Sequence, residues 1–307
     1  MSRCRKILLW LLLLCLLALG ANALLNAGVW VTRYEIHSSR LPEGFDGFRI
    51  VQIADLHSVR TPEQAELLLT RVREEQPELI ALTGDQIDSH YYADHSTPAE
   101  GEEEGFLPDR DTLELIRELT DVAPVYAVYG NHEMMLLDDP ERNPFKTALE
   151  EMGVTILYQQ TVELTRKGDS ILLAGIQDPA TLYKNEDYDG LPDTRSRMQA
   201  MLDNTLGETN PEQFVLLLSH RPEYFALYQN YPIDLALTGH AHGGQIRLPG
   251  VGGLYAPGQG WFPKYTSGVF RQGRLSMVVS RGLGNSILPL RVFDPPELVT
   301  VTLRQAQ

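Results

Sequence analysis

Apolar and polar positions follow one another along the chain in blocks that predict strands and helices in turn. Five short apolar runs, each followed by a polar or glycine-containing turn, have the composition of buried strands. These runs are FRIVQIAD, ELIALTGD, PVYAVYGN, FVLLLSH and IDLALTGH. Segments with apolar residues at helical spacing lie at 61–75, 111–119 and 145–152. Thr61 is a predicted N-cap ahead of Pro62, since proline is favoured at the first helical position.

From Val154 onward the pattern predicts mostly strands, in the runs VTILYQ, VELT, SILLAGI, QIRLP, SGVFRQ, LSMVVS and ELVTVTL. Strand–helix alternation followed by added strands is typical of a layered α/β fold. We therefore expect an α/β/β/α sandwich, in which two mixed sheets pack together and helices flank them.

Two turn-rich segments interrupt this pattern, at 89–110 and 178–197. Each follows a predicted strand end, where loops often cover a site, but a solvated surface loop is an equally good interpretation. His90 and His95 lie in the first segment and are interpreted as surface histidines.

The N-terminal segment contains an uncharged apolar stretch of 19 residues, from Ile7 to Leu25, behind the basic segment 3–6. At about 1.5 Å per residue, this length is close to the roughly 30 Å hydrocarbon core of a bilayer. The positive charges ahead of it predict an N-terminus inside and a body outside. We expect an uncleaved, single-pass transmembrane anchor. The alternative is a signal peptide cleaved at Ala21-Asn22-Ala23, which would release a secreted body.

Two parts are therefore predicted, an N-terminal tail and anchor at 1–32 and one globular domain at 33–307. The composition, 43% hydrophobic and 22% charged, is that of a globular protein. Both cysteines, Cys4 and Cys15, precede the domain, so it has neither a disulfide nor a thiolate metal site. The net charge of −15 argues against nucleic acid as a partner, because phosphate backbones are bound by clustered Lys and Arg. No obligate protein partner is evident.

A polar motif follows each of the five apolar runs that were quoted first. They are Asp55-x-His57, Gly84-Asp85-x-x-Asp88, Gly130-Asn131-His132-Glu133, Ser219-His220 and Gly239-His240-x-His242. In open α/β sheets the ligand crevice lies outside the carboxyl ends of the strands. Carboxylates, an amide and imidazoles at one edge suit divalent ions such as Mn, Fe or Zn. The sequence therefore predicts a metal site at this edge.

The residues of these motifs have different predicted roles. Asp88 is interpreted as orienting an imidazole rather than as a ligand. His132 cannot easily point in the same direction as the amide beside it, so it is free to face a substrate, with Glu133 setting its tautomer or orientation. Taken alone, this motif is also typical of a helix N-terminus. The pair His240 and His242, flanked by glycines, has the spacing of ligands in a hydrolytic metal centre.

The motif series DLH, GDQID, GNHE, SH and GHAH resembles that of the calcineurin-like metallophosphoesterase superfamily. The flanking segments LPEGFDGFRIVQIADLH, GHAHGGQIRLPG, SRGLGNS and PLRVFDPPELVTVTL are similar to the bacterial membrane-associated or exported branch, the YkuE/YaeI-like phosphoesterases, and the resemblance covers residues 33–304. This resemblance implies two metal ions, one held by Asp55, His57 and His242 and the other by Asn131, His220 and His240, with Asp85 bridging them. It also implies that His132 is the general acid.

The resemblance implies a metal-dependent phosphohydrolase, in which two ions activate a hydroxide that attacks a phosphoric ester or anhydride. We expect it to be membrane-anchored, to face outside and to act on a phosphorylated small molecule or lipid. One alternative is a pyrophosphatase of the UDP-2,3-diacylglucosamine type, acting on a lipid-linked substrate. Another is a non-catalytic, metal-binding envelope protein, against which the complete ligand set argues.

Overall fold

The computed structural model describes residues 3–59, 61–88, 110–136, 144–180, 193–248, 250–285 and 290–306. Its helices are α1 (Arg3–Asn26), α2 (Pro62–Glu75), α3 (Arg110–Thr120), α4 (Asn131–Leu136), α5 (Pro144–Glu151), α6 (Thr194–Leu206) and α7 (Phe225–Tyr228). Its strands are β1 (Trp30–Ser38), β2 (Arg49–Ile53), β3 (Leu79–Thr83), β4 (Val125–Val128), β5 (Thr155–Ile156), β6 (Gln160–Arg166), β7 (Asp169–Gly175), β8 (Val215–Leu218), β9 (Leu235–Thr238), β10 (Arg247–Leu248), β11 (Gly252–Gly253), β12 (Tyr255–Ala256), β13 (Gly260–Trp261), β14 (Gly268–Gln272), β15 (Leu275–Val279) and β16 (Glu297–Gln305). His90 and His95 lie outside the described residues, so their surface position stays a prediction.

The main strands form two six-stranded sheets. The first has the order β1-β16-β2-β3-β4-β5, and the second has the order β14-β15-β9-β8-β7-β6. In the first sheet β2, β3, β4 and β5 run parallel, and β16 is antiparallel to β2. In the second sheet β7, β8, β9 and β15 run parallel, and the edge strands β6 and β14 are antiparallel to their neighbours. Both sheets are therefore mixed, as the sequence predicts.

Three buried clusters follow from the alternation of side chains along the strands. Ile50 and Ala81 of the first sheet pack with Leu216 and Leu237 of the second, in the layer between the sheets. Val51 points the other way and belongs to the cluster that includes residues of α2, α3 and α5. Residues of α6 and α7 form the third cluster on the outer face of the second sheet. The order of layers is α/β/β/α, so the fold prediction is confirmed.

Most predicted elements coincide with observed ones, and the differences have local causes. α2 begins at Pro62, and the Thr61 hydroxyl caps it by accepting a hydrogen bond from the N–H of Gln64 at 3.2 Å. The prediction of a loop over all of 178–197 was wrong at its end, because α6 begins at Thr194 with Asp193 as its cap. Of the run QIRLP, the structure assigns Arg247 and Leu248 to β10, which pairs with β11 in a hairpin outside the main sheets.

A buried glutamine ties the two sheets together just below the ends of their strands. Gln52 on β2 donates from Nε2 to the Thr83 hydroxyl on β3 at 3.0 Å and to the Thr238 carbonyl on β9 at 2.9 Å. Because β9 belongs to the second sheet, these contacts hold the C-terminal ends of strands from both sheets side by side. The motifs that follow these strands therefore meet at one edge of the sandwich.

The N-terminal helix α1 covers the predicted apolar span. Among the described residues, its part from Arg5 to Asn26 is the one helix long and apolar enough to cross a membrane, a criterion that a signal sequence also meets. Its last turns contact the domain. The side-chain amides of Asn22 and Asn26 donate to the Arg291 carbonyl at 3.0 and 2.9 Å, and Asn22 Oδ1 accepts from the N–H of Phe293 at 2.7 Å.

Candidate metal centre

Polar groups from both sheets meet in one buried cluster at the C-terminal ends of the strands. The chain leaving β2 carries Asp55 and His57, that leaving β3 carries Asp85, that leaving β8 carries His220, and that leaving β9 carries His240 and His242. Each of these residues exposes at most 4% of its surface. Asn131, at the start of α4, adjoins them, because Asp85 Oδ1 accepts a hydrogen bond from the N–H of His132 at 2.8 Å.

The cluster consists of two groups that share Asp85. The ligand atoms that lie within 4.8 Å of one another are those of Asp55, His57, Asp85 and His242 in one group, and those of Asp85, His220 and His240 in the other. A third set within this distance, His57 with Asp88 and His132, is less buried and shares His57 with the first group. Asp85 Oδ2 is 3.1 Å from His220 Nε2 and 3.8 Å from His57 Nε2. A single carboxylate oxygen therefore faces both groups.

Nitrogen and oxygen lone pairs converge in both groups. His57 Nε2 and His242 Nε2 are 3.1 Å apart, and so are His220 Nε2 and His240 Nδ1. Asn131 Oδ1 is buried and has no hydrogen-bond partner among the described residues. A buried acceptor left unpaired costs about 1–3 kcal/mol. Imidazole nitrogens with carboxylate and amide oxygens are ligands of borderline divalent cations, so this donor set fits such ions.

Burial keeps most of these imidazoles neutral. Burial lowers the pKa of His57 to about 3. It also lowers the pKa of His240 and the pKa of His242 well below the ordinary value. A neutral imidazole has a lone pair that can bind a cation, so these side chains are ready ligands near neutral pH.

The two carboxylates and His220 form a charged network. Burial raises the pKa of Asp55 to about 7. Burial acts in the same direction on Asp85, but the charge of His220 holds the pKa of Asp85 well below its usual range. Burial alone would lower the pKa of His220, yet Asp85 raises it to about 10. The negative charges that favour a proton on His220 would equally favour a cation, and a bound cation would replace that proton.

Five residues of the cluster share a backbone conformation that non-glycine residues rarely adopt. The left-handed φ angles are 50° for Asp55, 50° for His57, 54° for Asp85, 65° for His240 and 45° for His242. Such a residue costs of order 1–3 kcal/mol and persists where its surroundings over-determine it, as they do at active sites and ligand clamps. Here the left-handed turns aim the side chains into the space between the strand ends.

Backbone N–H groups hold the carboxylates of Asp55 and Asp85, and each carboxylate lies so close to a neighbouring glycine that no other residue would fit there. Asp55 accepts hydrogen bonds from the N–H of His240 at 2.9 and 3.0 Å. A Cβ at Gly239 would lie 2.5 Å from Asp55 Oδ2, and a Cβ at Gly130 would overlap Asp85 Oδ1. The glycines of these motifs therefore allow the close approach that orients the carboxylates.

His132 lies beside the first group and not within it. Its ring packs edge-on against His57, with centroids 4.5 Å apart. Asp88 Oδ1 is 3.7 Å from His132 Nδ1, and the side chains of both residues are 13% exposed. His132 is therefore a more accessible imidazole in contact with the cluster, with a carboxylate placed to orient it.

Glu133 has a different role from the predicted one. Its fully buried carboxylate accepts hydrogen bonds from four backbone N–H groups, those of Gly130 and of residues 85–87, at 2.6 to 3.2 Å. Because both of its oxygens are committed to these donors, Glu133 holds the turn that carries Asp85 and does not orient the His132 ring. Glu133 lies in the first turn of α4, so its carboxylate reaches the N–H of Gly130, which precedes the helix and has no partner within it.

Sequence reasoning missed a loop that supports the cluster from the C-terminal part of the chain. The N–H groups of Leu283 and Gly284 donate to the Asp55 carbonyl at 3.2 and 2.6 Å. The buried guanidinium of Arg291 donates to the Gly284 carbonyl at 3.0 Å and to Asp294 Oδ2 at 3.2 Å. The glycines of SRGLGN after a strand-like run were the available signal, since they permit close approach of two backbones.

Comparison with known proteins shows consistent similarities. The family model of calcineurin-like phosphoesterases matches residues 48–244. The metallophosphoesterase YkuE of Bacillus subtilis is 32% identical over 278 residues, which cover 89% of this chain and 85% of that protein. The phosphodiesterase YaeI of Escherichia coli is 26% identical over 258 residues, which cover 83% and 82%. A transmembrane protein with a metallophosphoesterase domain from Danio rerio is 26% identical over 285 residues, which cover 90% of this chain and 57% of that protein.

Proposed function

Since the chain belongs to the calcineurin-like phosphoesterase family and is a metal-dependent phosphohydrolase, we propose that it works with two divalent cations held by the buried cluster. The observation that carries this proposal is the position of Asp85. Its Oδ2 faces His220 Nε2 at 3.1 Å and His57 Nε2 at 3.8 Å. An oxygen that faces both groups of imidazoles would let Asp85 hold a cation in each group, and such a pair of cations would activate a water for hydrolysis.

The side chains of the cluster divide into two proposed ligand sets around the bridging Asp85. One cation is assigned to Asp55, His57 and His242, and the other to Asn131, His220 and His240. Two divalent cations bring four positive charges, and the two carboxylates return two negative ones, since the other ligands are neutral. The filled centre is therefore positive and attracts a phosphate anion.

Cations held by these residues would supply an activated water and would polarise the phosphoryl group. The residues of the chain orient the groups around them. The N–H of His132 holds Asp85, and the N–H of His240 holds Asp55. The imidazole of His132 donates a proton to the departing oxygen, and Asp88, which lies 3.7 Å from His132 Nδ1, orients the ring.

The metal content tests this proposal directly. We expect two transition-metal ions per chain, Mn, Fe or Zn in preference to Ca or Mg, because four imidazoles disfavour the hard ions. Elemental analysis of the full chain is combined with hydrolysis of a chromogenic phosphodiester, a monoester and a pyrophosphate. Activity should disappear on chelation and return with Mn²⁺. Fewer than one ion per folded chain after reconstitution contradicts the two-metal proposal, and two ions without hydrolysis of any substrate would favour the non-catalytic alternative.

We also propose that α1 anchors the enzyme in a membrane with the catalytic domain outside, where it acts on a phosphorylated small molecule or lipid. Most of the large apolar side chains that the structure describes in α1 are exposed, with exposed fractions from 44% at Leu13 to 78% at Leu24. Exposed apolar surface of this extent on a helix is stable in lipid and not in water. The basic segment 3–6 precedes the span and favours an inside N-terminus.

An uncleaved anchor predicts a specific fate for the N-terminus. We expect the mature protein to begin at Met1 or Ser2, to sediment with membranes and to resist carbonate extraction. Protease added outside intact cells should digest the domain. A mature N-terminus at Leu24 in the soluble fraction would show instead that the segment is a signal peptide cleaved after Ala23.

A further inference from the structure

Large apolar side chains are exposed around the end of α1 that joins the domain. Leu248, Val251 and Phe293 together line one surface cavity, and Leu290 lines another beside the last turns of α1. Exposed apolar side chains grouped as Leu248, Val251 and Phe293 are here are typical of an interaction site. We call this set the apolar rim; its members and their exposed fractions are Trp30 at 48%, Leu248 at 41%, Val251 at 59%, Leu290 at 50% and Phe293 at 38%.

Hydrogen bonds to the last turns of α1 show how far along this helix the apolar rim lies. Asn22 accepts from the N–H of Phe293 at 2.7 Å, and Trp30 Nε1 donates to the Leu25 carbonyl at 2.8 Å. Asn22 precedes Leu25, the last residue of the apolar span, by three residues, which is about 4.5 Å along a helix. The backbone at Phe293 therefore lies on the membrane side of the end of the span.

The side chain of Asn22 and the backbone of the adjoining loop satisfy each other's hydrogen bonds. The amide of Asn22 donates to the Arg291 carbonyl at 3.0 Å while its oxygen accepts from Phe293. In a bilayer, backbone and amide groups must find partners within the protein, because lipid tails offer none. These contacts satisfy the side-chain amide of Asn22 and the N–H of Phe293 where the loop meets the boundary of the hydrocarbon.

The rim also lies at the same edge of the sandwich as the metal ligands. β1 starts where β2 ends, because Trp30 pairs with Glu297 on β16 and Val299 pairs with Gln52 on β2. The β10–β11 hairpin, which contributes two members of the rim, follows His242 closely in the chain. The surface beside α1 and the metal cluster therefore share one end of the molecule.

We propose that the apolar rim inserts into the surface of the bilayer, so that the domain rests on the lipid headgroups with its metal-binding edge toward the membrane. This inference rests on the proposed anchoring by α1. Aromatic and aliphatic side chains gain free energy at the membrane interface, where the apolar part enters the acyl boundary. The phosphate groups nearest to the cluster are then those presented at the membrane surface.

Probes placed on the rim test its depth in the full chain. Cys4→Ser and Cys15→Ser remove the native thiols, and Val251→Cys, Leu290→Cys or Glu208→Cys then carries an environment-sensitive fluorophore. Glu208 is the matched control because it is exposed and follows α6, which leads the chain to the start of β8 at the opposite edge. The proteins are inserted into phosphatidylcholine vesicles with or without lipids that carry a nitroxide high on the acyl chain. We expect the emission at positions 251 and 290 to fall at least twofold and the emission at 208 to stay unchanged.

Flotation of the same vesicles separates failure of the rim from failure of the anchor. A chain that floats while probes 251 and 290 are quenched no more than probe 208 overturns insertion of the rim and leaves the anchor intact. A chain that does not float overturns the anchor and the rim together, whereas hydrolysis of a soluble diester still reports the metal centre. Unchanged diester hydrolysis in each labelled protein shows that it is folded. Quenching that persists in high salt supports apolar insertion, since charge attraction would be screened.

Discussion

Asp85→Ala is expected to release both cations and to abolish hydrolysis of every phosphate substrate. Asp85 Oδ2 is the oxygen that faces both imidazole groups, so no neighbouring side chain can replace it. Metal cations stabilise phosphoryl-transfer transition states by several kcal/mol, and each 1.36 kcal/mol is a tenfold change in rate. We therefore expect kcat/KM to fall by at least about 10³-fold, measured as initial rates together with elemental analysis of the purified variant.

Asp121→Ala is the matched control for this loss. Asp121 is exposed at the end of α3, so the same change of residue there should leave metal content and rate unaffected. Near-UV circular dichroism shows whether Asp85→Ala keeps its tertiary packing, and Asp85→Asn, which preserves the side-chain shape, provides a second variant if it does not. Two ions per chain and a rate within tenfold of the wild type in either folded variant would refute the bridging role.

His132→Ala should produce a different pattern, with metal content retained and kcat lowered by about 10²–10⁴-fold, the range for loss of a positioned acid–base group. Its ring touches His57 but remains partly accessible, which is why we place it next to the cations and not among the ligands. The loss should be smaller for p-nitrophenyl substrates than for alkyl esters, because p-nitrophenolate departs without protonation. Rates across a series of leaving groups, with elemental analysis of the same preparation, measure both properties.

Asp88→Asn provides the companion variant. Asp88 Oδ1 lies 3.7 Å from His132 Nδ1, where its carboxylate can orient the ring. Replacing the carboxylate by an amide should also lower kcat, by about 10–100-fold, as expected for a residue that orients another. A His132→Ala protein that loses metal as completely as Asp85→Ala would show that His132 is a ligand. An equal loss for all leaving groups would show that it does not protonate the departing oxygen.

The layers of the fold and the gathering of the motifs at one edge were predictable, because they depend on local patterns. Buried parallel strands appear as continuous apolar runs, and their carboxyl ends meet at one edge of a sheet. The roles of Glu133 and Arg291 were not predictable in this way. Most of their partners are backbone groups far along the chain or around a turn, so no spacing in the sequence indicates them. The left-handed backbone at Asp55 and His57 was equally hidden, since neither residue type requires it.

The sharing of ligands between the two sheets has a consequence for when the enzyme acquires its metals. Each proposed cation takes carboxylate or amide oxygens from the first sheet and at least one imidazole from the second, such as His242 or His220. An unfolded chain has no such site, so the free energy of metal binding becomes available only when the sheets dock, and it then adds to the free energy of folding. A chain that crosses the membrane unfolded would therefore bind its metals only after export, outside the cytoplasm. The ions in the mature enzyme would be those of the compartment in which it folds, chosen by their availability there as much as by the ligands themselves.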